Sequence, residues 1–249
     1  MSMYALAVLI ILIVGVVTLY LKITIDRIFL VLLLMFWLKI DIHQAIIING
    51  LVMLLASFLF VRGNKEQILQ IPKNVFWPVA IIAFIGGLVG RWFGSSLDSK
   101  VLMIILGVYA VLVGLRLVLL KPKLVQPGQL KPVIAVISFL FSILTGLISA
   151  GGKPIQIPLL MKTQKLSMPQ AYMMGSIGTM FAVIGLLTGQ VLVDYSFFQA
   201  KMFSWAWVFY VGFSLIMILF EKKWSPKGQR IMSYIVGPLL ILVGFRLFI

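Results

Sequence analysis

Apolar runs of about 20 residues, the length needed to cross a bilayer as a helix, recur from one end of this 249-residue chain to the other. They cover 3–21, 28–38, 44–61, 75–93, 101–120, 132–149, 154–161, 169–188, 202–220 and 231–249. Those at 28–38 and 154–161 are too short to span unless flanking residues join them. Hydrocarbon offers no partner for backbone polar groups, so such runs form helices with their own hydrogen bonds. With 62% hydrophobic and only 11% charged residues, the chain is far from the roughly 25% charge of soluble domains. A soluble globular enzyme and a disordered chain are both excluded. No cleavable leader is expected, since Met1 to Leu21 carries no charge before Lys22. The expected fold is all-α: a polytopic membrane protein of about 8–10 membrane segments with interrupted or re-entrant helices.

Cysteine is absent and His43 is the sole histidine, which leaves no basis for thiolate, iron–sulfur, haem-pair or multi-histidine metal chemistry. No phosphate-binding Gly-x-x-x-x-Gly-Lys-Ser/Thr motif occurs. Nothing resembles a nucleophile–base or paired-carboxylate cluster, so neither an enzyme nor a cofactor is expected. The net charge of +15 does not point to nucleic acid, because the basic residues stand singly or in short links between apolar runs. That spacing is the cytoplasmic Lys/Arg bias of membrane proteins.

The chain also repeats itself. Lys39-Ile-Asp-Ile-His-Gln-Ala45 lies 126 positions before Lys165-Leu-Ser-Met-Pro-Gln-Ala171. Lys100 with Gly107, Val113, Gly114, Arg116 and Leu117 matches Arg230 with Gly237, Val243, Gly244, Arg246 and Leu247 at an offset of 130. Two homologous repeats follow, residues 1–122 and 132–249, joined by a basic cytoplasmic linker, 123–131. If all ten segments cross with the N-terminus outside, the inner links hold 14 basic residues and the outer ones four, Lys39, Lys100, Lys153 and Lys201. Orientation follows that bias. Five crossings per repeat make the two repeats inverted; re-entrant short segments would instead reduce the count to eight. Either way, interrupted segments at matching places in two halves mark the binding site of a secondary transporter.

The most informative interruption is Ser149-Ala-Gly-Gly-Lys-Pro154. Gly151 and Gly152 permit backbone conformations a helix does not use, and Pro154 suits the first turn of a new one. A helix beginning there turns its positive end toward the break. Lys153 adds a full charge, and Ser149 and Gln156 can donate hydrogen bonds. Together they describe an anion cradle; the other reading is an ordinary turn whose lysine reaches the headgroups.

This stretch, Gly146-Leu-Ile-Ser-Ala-Gly-Gly-Lys-Pro-Ile-Gln-Ile-Pro158, followed by Ala171 and Gly175-Ser176, resembles the GxxGxGGGxxxxPxL…A…S pattern of the TauE/SafE sulfite-exporter family. Lys153 stands where the family has its third glycine. Gly86-Gly-Leu-Val-Gly90 and the Gly107…Gly114 segment resemble the family's helices that close each half. The resemblance implies transport of sulfite, sulfonates, thiosulfate or related small anions across a bacterial or archaeal plasma membrane. The first half departs from the pattern: at the 126 offset Asp26 and Arg27 stand opposite Gly152 and Lys153. Either they form a salt bridge that stiffens this arm, or Arg27 binds substrate, or they belong to a surface loop.

Gln44 and Gln170 start matching helices, where each amide either coordinates an oxyanion or bonds a neighbouring helix. Asn49 and Ser176 extend the same polar faces one to two turns on. Asp26 and His43 are the candidates for carrying protons. Arg91, Arg116 and Arg246 lie near segment ends and are expected to snorkel. The expected function is a secondary transporter of a small anion, an oxidised sulfur compound, working by alternating access. The alternatives are a passive anion channel or uniporter, and a membrane subunit anchoring a partner. The expected partners are a small anionic substrate and membrane lipid, with no nucleic acid and a homodimer left open.

Overall fold

A computed structural model of the chain describes residues 3–20, 28–119, 134–150, 152–164, 167–220 and 226–248. Among these it is helical throughout: α1 (Met3–Tyr20), α2 (Ile28–Phe36), α3 (Ile42–Gly63), α4 (Lys65–Leu69), α5 (Lys73–Ser96), α6 (Ser99–Leu119), α7 (Ile134–Ile148), α8 (Lys153–Gln164), α9 (Met168–Asp194), a 3-10 turn (Tyr195–Phe197), α10 (Ala200–Phe220) and α11 (Pro226–Arg246). Each of the ten apolar spans contains a helix. Only α4 was not expected, being a five-residue helix too polar to register in a search for apolar runs. Helices α3, α5, α6 and α9 are long and apolar enough by themselves to cross a membrane, and further apolar stretches lie in α1, α7, α10 and α11. Large apolar side chains stand exposed along them, among them Leu112, Leu140, Leu192, Leu215 and Leu242. Exposure on this scale fits lipid, not water. The chain is an all-α polytopic membrane protein.

Two compact units make up the structure. One combines Met1–Val52, Asp98–Lys121 and Gln199–Ile249; the other combines Met53–Leu97 and Pro122–Phe198. Each draws segments from both halves of the chain.

In the first unit α1 packs on α10, and α6 on α11. A Cβ on Gly15 would collide with Ile216 and one on Gly212 with Ile11, so α1 and α10 run in the same direction. Gly107 meets the backbone of Gly244, and Gly114 meets that of Gly237, so α6 and α11 run in opposite directions. Without a hydrophobic drive between helices in lipid, such glycine contacts are what let backbones approach and gain dispersion energy.

In the second unit α5 lies between α7 and α9. Positions 86, 90 and 94 of α5 meet 139–142, 143 and 147 of α7 in order, so these two helices run in the same direction. Along α9, Gly185 meets Phe84 and Leu88, and Gly189 meets Leu88 and Arg91. Helix α9 therefore shares that direction. The chain must return between α7 and α9, and α8 with its flanking links carries it back. A re-entrant α8, emerging on the side it entered, would have made α9 antiparallel to α7. At 12 residues α8 is only about 18 Å long, against a hydrocarbon core of about 30 Å, so α8 by itself does not complete that return.

The tryptophans divide between two roles. Trp77 and Trp92, near opposite ends of α5, are more than half exposed, as an interfacial belt requires. Trp205 is buried and stacks on Phe209 with centroids 5.6 Å apart, which is core packing.

Candidate functional site

The break between α7 and α8 forms because neither side can continue the other's helix. Ser149 donates its N–H to the Thr145 carbonyl (2.8 Å) and then turns to φ +50°, a left-handed conformation that a residue with a Cβ adopts at a cost of about 1–3 kcal/mol. It does so fully buried, with its hydroxyl 3.9 Å from the Met53 sulfur. Gly152 is pressed against Phe141, whose Cβ and ring occupy the space any side chain there would need. Its carbonyl accepts from the N–H groups of Ile155 (3.0 Å) and Gln156 (2.7 Å), which starts α8 with Pro154 in its first turn. Lys153 thus stands at the helix's positive end.

Side chains from three helices of this unit meet beside that end. Gln156, 3% exposed on α8, donates from Nε2 to the Ser138 hydroxyl on α7 (3.2 Å). The Lys153 ammonium lies 5.3 Å from the centre of the Tyr172 ring on α9, a cation–π contact. Gly175 and Gly178 face the group. A Cβ on Gly175 would touch Gln156 Oε1 and Lys153 Cγ at 3.6 Å, and one on Gly178 would touch Ser138 Oγ at 3.7 Å. These are ordinary contact distances, so each glycine leaves a methyl-sized gap in a polar wall. This differs from Gly87, Gly90, Gly146 and Gly185, where an added Cβ would run into the backbone of a neighbouring helix. Ser176, next on α9, is fully buried and its hydroxyl has no hydrogen-bond partner.

The expected site residues are thus distributed as follows. Ser149, Gly152, Lys153, Gln156 and Ser176 lie in the second unit, Gly152, Lys153 and Gln156 at the start of α8. Gln170 is in the same unit, but its Oε1 accepts from the Ser167 N–H (3.0 Å) and lies 3.1 Å from the Ser167 hydroxyl, completing a capping box at the start of α9. It also lines a cavity of about 320 Å³ with Gln67, Gln70 and Met173. His43, Gln44 and Asn49 sit on α3 within the first unit. His43 donates its backbone N–H to Asp41 Oδ1 (2.8 Å), and Asn49 is fully buried. Asp26, Arg27 and Gly151 lie outside the described residues.

Two contributors went unread in the sequence. Ser138 heads a stripe of buried hydroxyls, Ser138, Ser142 and Thr145, whose i, i+4, i+7 spacing was a legible signal of a polar helix face. Tyr172 carried no signal of its own. Arg91 and Arg116 do not snorkel. Arg91 is 0% exposed and donates from Nε to Gln190 Oε1 (2.6 Å), and Arg116 is 9% exposed. Only Arg246 reaches the surface, 5.8 Å from the centre of the Phe36 ring.

A family model described as sulfite exporter TauE/SafE matches residues 7–247. The chain belongs to this family. No curated protein and no solved structure matches it. The TauE/SafE match runs through both compact units and reaches into every helix named above, so membership describes the architecture as a whole. TauE/SafE proteins are membrane transporters, not an enzyme family, and the matched span places the α7–α8 break of this chain within a protein for membrane transport of anions.

Proposed function

We propose that this protein is a secondary transporter of a small anion, an oxidised sulfur compound such as sulfite or a sulfonate, working in the cell membrane of a bacterium or archaeon. The binding site in this reading is the group beside the α7–α8 break. Lys153 supplies the charge, the Gln156 amide and the Ser138 and Ser176 hydroxyls supply directional hydrogen bonds, and Gly175 and Gly178 leave room for the ligand. The observation that carries it is the position of Lys153, a cation at a helix's positive end faced by an aromatic ring and neutral amides. Such a site attracts an oxyanion by combining a full charge with the helix's positive end. Alternating access follows from two repeats inverted about the membrane plane, which can exchange inward and outward conformations by moving one part against the other. The matched helices α6 and α11 run antiparallel, as that symmetry requires.

The described acids, Asp41, Glu66, Asp98 and Asp194, lie at helix ends or on α4. That placement favours a second reading, a uniporter without proton or sodium coupling.

The test is uptake of radiolabelled sulfite, sulfate, thiosulfate and short sulfonates into proteoliposomes, with and without proton and sodium gradients. Lys153→Ala should reduce the flux of the preferred anion at least tenfold, and Lys153→Arg should recover part of it. Undiminished flux in Lys153→Ala would remove this site from the pathway.

A further inference from the structure

Arg116 lies in the last turn of α6, and its Nε and Nη1 are buried without a hydrogen-bond partner. A guanidinium stays protonated at any accessible pH and carries five N–H donors in a rigid fork. A buried cation with unsatisfied donors costs more than the nearby negative end of its own helix returns. The described acids of the first unit cannot supply the missing partner. Asp98 immediately precedes α6, and Asp41 meets Ser99 in the first turn (3.5 Å), whereas Arg116 is about 26 Å farther along the helix.

The repeat supplies an internal comparison. Arg246 occupies the matching position on α11 and is exposed above the Phe36 ring. An arginine at this point of the repeat can therefore leave the protein interior, but Arg116 does not. Around it α6 shows lipid an apolar surface, Leu112, Leu115 and Leu119, each 40–70% exposed, so the buried guanidinium sits beside the lipid boundary at one end of the helix.

We propose that the C-terminal end of α6 holds an oxyanion-binding site centred on Arg116, within the first unit and separate from Lys153, that takes one phosphate- or sulfate-like group. Unsatisfied guanidinium donors shielded from water suit the oxygens of such a group. The same chemistry is offered by a free inorganic oxyanion and by the phosphate of an anionic lipid.

The two sources separate in one experiment. Full-length protein in neutral detergent, stripped of lipid, is titrated with sodium sulfate at constant ionic strength, or with mixed micelles of phosphatidylglycerol against phosphatidylcholine, while its Tm is followed. One of these additions should raise the Tm by several degrees and saturate, because a ligand that binds only the folded state stabilises it. A response to sulfate identifies a free oxyanion, and a response to phosphatidylglycerol alone identifies a lipid headgroup. In Lys153→Ala protein, which lacks the other proposed anion site, the shift should persist, and adding Arg116→Gln should abolish it. No Arg116-dependent shift in either arm overturns the proposal, as does a shift lost only in Lys153→Ala. If Arg116→Gln fails to fold, Arg116→Lys takes its place. It keeps the charge but not the fork, so binding weakened at least tenfold supports the site and unchanged binding overturns it.

Discussion

Gly107 on α6 and Gly244 on α11 face each other so closely that a Cβ on the first would lie 2.9 Å from the carbonyl oxygen of the second, and a Cβ on the second 2.7 Å from the carbonyl of the first. Gly114 and Gly237 repeat the relationship at 2.6 and 3.0 Å. By sequence, Gly107 matches Gly237 and Gly114 matches Gly244, so exchanging the two repeats converts one contact into the other. A pair of matched helices joined in this way would have its two-fold axis across the helices, which supports the proposed inversion of two repeats. Alanine at Gly107 or Gly244 should cost about 1–3 kcal/mol of stability, as overpacking usually does. Because both substitutions force the same separation, the double variant should lose less than the sum. Thermal unfolding in detergent of the two single variants and the double variant reads this directly, and strict additivity would contradict a shared contact.

Arg91 and Gln190 link the C-terminal ends of two parallel helices, α5 and α9, with α7 ending beside them. Three aligned helix ends concentrate negative partial charge, and a buried cation offsets it. Gln190→Leu leaves the Arg91 Nε without its acceptor and should destabilise by about 2–5 kcal/mol. Replacing both, Arg91→Met with Gln190→Leu, should recover part of that loss, since no charge then remains to desolvate. A double variant less stable than Gln190→Leu would mean that Arg91 holds the helix ends together through other groups.

The glycines of the second unit separate packing from ligand space. Gly175→Ala places a methyl against Lys153 and Gln156 at ordinary contact distance, so the Tm should stay within experimental scatter while anion flux falls severalfold. Gly185→Ala drives a methyl into the Phe84 backbone and should lower stability by about 1–3 kcal/mol. Loss of stability in Gly175→Ala with unchanged flux would reverse the two roles.

The absence of native cysteine makes single introduced cysteines clean reporters of sidedness. Gln67 and Ser196 are both exposed. Helices α5 and α9 run in parallel, with Gln67 just before the start of α5 and Ser196 just after the end of α9. Gln67→Cys and Ser196→Cys should therefore react with an impermeant maleimide from opposite sides of the membrane, and Ser95→Cys from the same side as Ser196→Cys. Labelling of Gln67→Cys and Ser196→Cys from one side would restore a re-entrant α8.

Much of this architecture was legible beforehand. Bilayer thickness and the need to satisfy backbone polar groups act on contiguous residues, so a run of apolar side chains reports a helix with no knowledge of its neighbours. The α7–α8 break was local at Pro154, which acts on its own backbone, whereas Gly152 makes room for Phe141 of α7 and the left-handed turn falls on Ser149. Helix α4 was missed because five residues with Lys, Glu and Gln carry no such signal, whereas the Ser167-Met-Pro-Gln170 spacing was a legible capping-box signature that went unread.

Which helices meet, and therefore which polar groups are buried, came only with the tertiary structure. Arg91, Arg116 and Arg246 are the same residue at similar places near helix ends, yet two are buried and one is exposed. Gly175 and Gly185 belong to one helix, yet one faces a polar gap and the other a backbone. Sequence alone determined that this chain would cross the membrane many times as helices and interrupt one of them beside a lysine, because those outcomes depend on each segment and its solvent. The surroundings of Ser138, Arg116 and Gly107 were decided by packing, because burial in lipid is a property of the facing helix, and no residue's own chemistry records what will stand opposite it.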